Sequence, residues 1–112
     1  MRVLIVDDNP DAAVSLDELL RIKGHHTTIA RSGNEAVRLW DEHGWDLVFL
    51  DLKMPGMDGY TTAQNILSLN PNARIVVVTG NSVHEDLERV RSLGIAGLLR
   101  KPFRIEELLS YL

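Results

Sequence analysis

The sequence predicts a doubly wound α/β domain in which five strands alternate with five helices. Three observations carry that prediction. Short β-branched runs alternate with longer segments whose apolar residues recur at helical spacing. The strongest runs, Val3-Leu4-Ile5-Val6, Leu47-Val48-Phe49-Leu50 and Ile75-Val76-Val77-Val78, contain no polar residue, the pattern of parallel strands buried on both faces. The chain has 112 residues, one domain's worth at roughly 150 residues per domain and enough for an independent core. Right-handed crossovers then place helices on both sides of the sheet.

The elements follow in order. Val3 to Val6 is the first strand. Asn9-Pro10 reads as N-cap and first helical position, where proline loses nothing by lacking an N–H. Leu16, Leu19, Leu20 and Lys23 continue at helical spacing, and Gly24 is the expected C′ residue. Thr27 to Ala30 is a weaker strand. Ser32-Gly33-Asn34-Glu35 has capping-box spacing and opens a helix with Ala36, Val37 and Trp40 on its buried side. Asp46 to Asp51 is a strand. Asp51 to Gly59 is rich in turn formers and reads as a loop. Tyr60 to Leu69 is helical and stops near Asn70-Pro71. Arg74 to Thr79 is a strand. Ser82-Val83-His84-Glu85 is a second capping box, followed by an apolar stripe of Val83, Leu87 and Val90 behind charged Glu85, Glu88, Arg89 and Arg91. Ala96 to Leu99 is a short strand, and Ile105, Leu108, Leu109 and Leu112 predict a last amphipathic helix.

Composition excludes several functions. Twelve Lys and Arg against sixteen Asp and Glu give a net charge of -4, which argues against direct nucleic-acid binding. The chain has no cysteine, so it has no disulfide, thiol nucleophile or thiolate metal site, in keeping with a cytoplasmic protein. No apolar run approaches the ~20 residues of a membrane span, and the amino terminus does not resemble a secretory signal.

In doubly wound sheets the ligand site lies beyond the carboxyl ends of the strands. The first strand ends at Asp7-Asp8, the third at Asp51 and the fourth at Thr79-Gly80; the fifth runs into Lys101-Pro102. Any one such Asp is ordinarily a turn former or helix cap, and Lys101 alone is ordinarily a solvated charge. The conjunction points elsewhere. Three carboxylates converging on one edge repel unless a cation joins them. Oxygen-only ligands favour a hard ion, and Mg²⁺ suits a shallow site with few protein ligands, several waters and a phosphate oxygen. A hydroxyl and an ammonium facing those carboxylates suit a visiting phosphoryl group.

At these residues the chain resembles the receiver domain of two-component response regulators, over essentially its whole length (residues 1–112). The motifs are Val6-Asp7-Asp8-Asn9, the run Asp51-Leu52-Lys53-Met54-Pro55-Gly56-Met57-Asp58-Gly59, then Thr79-Gly80 and Lys101-Pro102-Phe103. The resemblance implies a flavodoxin-like sheet of strand order 2-1-3-4-5 and a phosphoacceptor role for Asp51. It implies Mg²⁺ bound by Asp7, Asp8, Asp51 and the backbone carbonyl of Lys53, with Asp8 the more direct ligand of the acidic pair. Thr79 and Lys101 would hold phosphoryl oxygens, and the peptide before Pro102 would be cis. The implied partners are a sensor histidine kinase or histidine phosphotransfer protein as donor, and a downstream protein or an output domain outside this chain. The latter would read the face of the fourth helix, fifth strand and fifth helix. Such a domain signals rather than turning over a substrate, with self-phosphorylation from small phosphodonors and self-dephosphorylation expected.

The chain departs from the family pattern at Leu98, where many members carry Tyr or Phe; leucine has no ring to flip. Gly94 to Leu99 lacks the paired acidic residues of receivers that dimerise through this face in one large transcription-factor subfamily. Lys53 and Asn81 occupy variable positions that tune phosphoryl lifetime in the family. The helical pattern stops early, at Leu112, as in a receiver cut from a longer protein. His25, His26, His43 and His84 are scattered and read as surface residues, Trp40 and Trp45 as packing residues, and Met54 and Met57 as shaping the loop beside Asp51. The competing readings are a phosphorylation-independent interaction module on the same fold and a small phosphatase or nucleotide enzyme. Lys53 stands where a haloacid-dehalogenase-type phosphatase needs Asp, and the chain has no P-loop and no G-x-G-x-x-G after its first strand.

Overall fold

In the computed structural model, residues 1–53, 58–80 and 83–112 are described, apart from the side chains of residues 41–43 and 83–87. Strands β1 (Arg2–Val6), β2 (His26–Ala30), β3 (Leu47–Asp51), β4 (Ile75–Thr79) and β5 (Gly97–Arg100) form one all-parallel sheet. Its order is β2-β1-β3-β4-β5, the order the family resemblance implies. Helices α1 (Pro10–Ile22), α2 (Gly33–His43), α3 (Gly59–Leu69), α4 (Val83–Leu93) and α5 (Ile105–Leu109) alternate with the strands.

Strand alternation divides the core into two layers. Val3 and Ile5 of β1, Leu47 and Phe49 of β3, and Val76 and Val78 of β4 pack with Ala13 and Leu20 of α1 and Leu108 of α5. Leu4, Val6, Val48, Leu50, Ile75 and Val77 pack on the opposite face with Ala36 and Trp40 of α2, Ala63 and Ile66 of α3, and Val90 of α4. Every residue of β3 and β4 is buried, as their unbroken apolar runs require.

The helix starts follow local capping chemistry. Asn9 accepts from the N–H groups of Asp11 and Ala12, with Pro10 opening α1. Ser32 accepts from Glu35 N–H at 3.1 Å. Asp58 caps α3 by accepting from Thr61 N–H at 2.8 Å, so this helix begins at Gly59, one residue before the predicted start. The Ser82–Glu85 box, the stripe positions Val83 and Leu87, and the side chains of His43 and His84 lie outside the described residues.

Several expected bounds are corrected: β1 begins one residue earlier, at Arg2, and β3 and β4 one residue later, at Leu47 and Ile75. β2 begins at His26, because that residue pairs with Arg2 and donates its N–H to the Met1 carbonyl at 3.0 Å. β5 runs Gly97–Arg100 rather than 96–99, since its pairing carries on to Arg100 opposite Thr79. The last helix spans only Ile105–Leu109, little more than one turn at ~3.6 residues each, too short for a continuous stripe. Leu108 is fully buried, Ile105 is half exposed, and Leu112 packs on the core from beyond the helix.

Candidate functional site

Each acidic residue is placed by the backbone beside it. Asp7 directly follows β1 and donates its N–H to the Ala30 carbonyl at 3.0 Å. Its own Oδ1 accepts from Asn9 N–H at 2.9 Å, a tight turn that aims the carboxylate over the sheet edge. Asp51 ends β3, and its Oδ1 accepts from Lys53 N–H at 3.1 Å. Asp8 is exposed, while Asp7 and Asp51 are each only 8% exposed. One carboxylate oxygen from each of Asp7, Asp8 and Asp51 lies within 4.8 Å of the others.

Lys101 reaches the same point from β5. Its N–H donates to the Thr79 carbonyl at 2.7 Å, and the Lys101–Pro102 peptide is cis. Its Nζ stands 3.8 Å from Oδ2 of Asp7 and 3.8 Å from Oδ2 of Asp51. The two buried carboxylates are therefore held alike. Oδ1 of each is engaged by a backbone N–H two residues on, and Oδ2 of each faces the shared ammonium.

Burial pushes the Asp51 carboxyl above its ordinary value of 3.8; the Lys53 N–H and Lys101 oppose the rise and Asp7 adds to it. One ammonium does not balance three carboxylates, and a hard divalent cation fits the deficit and the all-oxygen donor set. A folded-state pKa above the unfolded value means the native state binds the proton more tightly. Stability contributed by protonated Asp51 is then fully present below 3.8 and is lost as pH rises through the folded value. In chelator, the stability difference between Asp51→Asn and wild type should therefore be smallest below pH 3.8 and grow in favour of the variant as pH rises, as read by denaturation midpoints. A gap that shrinks over that range would contradict the assignment.

The other predicted residues fall as follows. Thr79 is fully buried at the end of β4, in the strand row of Ile75 and Val77, which faces α2, α3 and α4. Asp7 and Asp51 continue the opposite rows, facing α1 and α5. The Lys53 side chain is exposed, and it is the backbone N–H of Lys53 that meets Asp51. Met54, Met57 and Asn81 lie outside the described residues. His25 pairs its Nδ1 with the Met1 amine at 3.2 Å, Trp40 is buried, and Trp45 packs against the core beneath Arg2.

Sequence reasoning missed two features. An apolar groove of about 640 Å³ runs from Asp7, Asp51 and Lys101 between α1 and the segment after β5, with Leu16, Leu19 and Phe103 among its walls. Across the molecule, the Arg89 guanidinium of α4 lies 4.0 Å from the centre of the Tyr60 ring of α3. Thr61 N–H, with help from Arg89, holds the nearby Asp58 carboxyl below its ordinary value. The Asx turns at Asp7 and Asp51 left a faint signal, an Asp ending a strand with a polar residue two positions on. The groove and the Arg89–Tyr60 stack left none, since both depend on how separate helices pack.

The family model for the response regulator receiver domain matches residues 3–112. The transcriptional regulatory protein PdtaR of Mycobacterium tuberculosis is 41% identical over 109 residues, which cover 96% of this chain and 53% of that protein. Sporulation initiation phosphotransferase F of Bacillus subtilis is 31% identical over 107 residues, 96% of this chain and 86% of that protein. The chain spans about half the length of several of the curated relatives it matches. The response regulator TrrA of Thermotoga maritima, solved in complex with Mg²⁺-BeF, superposes with a TM-score of 0.88 at 31% identity, covering 97% of this chain and 93% of that one. With three carboxylates and a lysine converging at the carboxyl edge of a 2-1-3-4-5 parallel sheet, and with a family match spanning nearly every residue, the chain belongs to the response regulator receiver domains of two-component signalling.

Proposed function

We propose that residues 1–112 work as one receiver that takes a phosphoryl group onto Asp51 from a histidine kinase or histidine phosphotransfer protein. The observation that carries this is the meeting of the Asp7, Asp8 and Asp51 oxygens within 4.8 Å, with Lys101 facing two of them. Asp51 Oδ2 is the attacking atom, because Oδ1 is engaged by Lys53 N–H. It bonds to phosphorus as the phosphorus–nitrogen bond of phosphohistidine breaks; the bonding pair stays on that ring nitrogen, and the donor leaves as neutral imidazole with the proton its other ring nitrogen already carries. Asp7, Asp8, Asp51 and the Lys53 carbonyl would hold Mg²⁺, which when bound supplies the positive charge that lets an anionic donor approach.

The new group brings about -1.5 to -2 in charge to Asp51. It draws Lys101 away from its shared position between two carboxylates, and draws Thr79 toward the site from the end of β4. β4 and β5 are adjacent, so both displacements reach the face made by α4, β5 and α5. A downstream protein, or an output domain outside this chain, reads that face. Among the described residues no helix is long and apolar enough to cross a membrane. The cytoplasm is the compartment we propose, since the donor is charged there from ATP.

Incubation with acetyl phosphate and Mg²⁺ should add one phosphoryl group, seen by intact mass, and excess chelator should prevent it. Absence of both phosphorylation and Mg²⁺ binding would favour the phosphorylation-independent interaction module instead. Asp8→Asn is expected to weaken Mg²⁺ binding by at least about tenfold in titration calorimetry. Because Asp8 is exposed, the same change should leave stability in chelator within about 0.5 kcal/mol of wild type. Unchanged Mg²⁺ affinity would remove Asp8 from the ligand set.

A further inference from the structure

The end of the chain carries a contact that the phosphoryl chemistry does not require. Gly97, the first residue of β5, has no side chain, and the Tyr111 ring occupies the space. A Cβ built on Gly97 would lie 2.3 Å from Tyr111 Cε1 and 2.7 Å from its Cζ. The Tyr111 hydroxyl donates to the Leu98 carbonyl at 3.4 Å, and its own carbonyl accepts from the Arg74 guanidinium at 3.0 Å. Tyr111 and Leu112 pack into the layer that holds Leu99 and Leu108. The ring thus lies on the β5 row Gly97–Leu99–Lys101, two positions along that row from the lysine that faces Asp7 and Asp51.

These contacts tie together the two sides of the β5–α5 connection. α5 has only five residues and buries one of them fully, Leu108. A helix that short has little hold of its own on the sheet. Leu108 and the Tyr111 ring pack in the same layer as Leu99 of β5. We propose that Tyr111 on Gly97 is a coupling clasp: it makes β5 and the segment 105–112 one unit, so that a displacement of Lys101 is delivered to the surface around residues 109–112. The proposal rests on the reading of Asp51 as phosphoacceptor, and it assigns to Tyr111 a positioning role without contact to the reacting atoms.

Gly97→Ala tests it directly, because the three atoms nearest the added methyl all belong to the outer part of the Tyr111 side chain, which it should expel. Amide hydrogen exchange is compared with and without Mg²⁺ and beryllofluoride, a phosphoryl mimic, in wild type, Gly97→Ala, Tyr111→Ala and Tyr111→Phe. Acetyl phosphate labelling of each protein, read by intact mass, checks the acceptor chemistry separately. Wild type should change protection in both 97–101 and 105–112 when the mimic binds. Gly97→Ala and Tyr111→Ala should be labelled at rates within about twofold of wild type and keep the change in 97–101. Both should lose most of the change in 105–112. Tyr111→Phe keeps the ring and should behave as wild type. A full response of 105–112 in either clasp variant, or its loss in Tyr111→Phe, would overturn the clasp while leaving the acceptor role standing. Failure of wild type to be labelled would instead strike the acceptor reading.

Discussion

Asp51→Asn is expected to abolish phosphorylation outright while leaving the protein folded. The amide keeps the shape of the side chain, and its oxygen can still accept the Lys53 N–H that now holds Oδ1 at 3.1 Å. It loses the nucleophile, because an amide has no anionic oxygen to attack phosphorus. Acetyl phosphate with Mg²⁺ should add one phosphoryl group to wild type and none to the variant, a loss limited only by the sensitivity of the mass measurement. Mg²⁺ affinity should fall as well, since one of three clustered carboxylates is gone. Stability in chelator should rise at neutral pH, because a buried charge beside Asp7 has been removed and Lys101 still has Asp7 as a partner. A variant labelled as fast as wild type would place the acceptor elsewhere and sink the proposed function.

Gly59→Ala should cost far more stability than Gly80→Ala, although neither glycine has a positive φ. Its Cβ would fall 2.5 Å from Leu52 Cα, 2.7 Å from the Asp51 carbonyl oxygen and 2.8 Å from Leu52 Cδ2. Two of these are backbone atoms at the end of β3 and cannot rotate away. The first turn of α3 is pinned there by Gly59 N–H donating to the Leu52 carbonyl at 3.2 Å and by the Asp58 cap. Either the helix or the strand end must move. We expect a cost of roughly 2–3 kcal/mol, and a melting temperature lower by on the order of 10–20 °C for a domain of this size. The movement bears directly on Asp51, so labelling by acetyl phosphate should slow by at least about tenfold even where the variant is folded. Gly80→Ala is the control. A Cβ there meets nothing within 4 Å and its φ is not positive, so the change should stay within about 0.5 kcal/mol. Equal melting temperatures for Gly59→Ala and wild type would show that α3 does not press on the strand end.

The two expectations differ in how much of each could be read before folding. Asp51 is legible as a candidate site residue because a carboxylate ends an apolar strand, and because Asp7-Asp8, Thr79 and Lys101 stand at or just past the ends of others. In the sequence Gly59 marks only the end of a loop. Its need for a bare Cα comes from α3 approaching β3, and residues in sequence carry no record of interelement distance. The edges of elements failed for the same reason. β2 gains one residue at its start and β5 shifts by one residue, since strand ends depend on which neighbours supply hydrogen bonds. Ile105 has the spacing of an apolar stripe that a five-residue helix cannot form.

By itself the sequence determined the alternation of strands and helices, the burial of the central strands, and the set of groups delivered to one sheet edge. Those properties depend on local periodicity and on capping within a few residues, which the chain encodes directly. Tertiary structure alone decided that Oδ2 of Asp7 and of Asp51 share one lysine and that Tyr111 rests on Gly97. Each of these contacts joins segments distant in the chain. Their geometry is set by strand register and by how closely the layers pack, quantities that exist only once the whole sheet has closed.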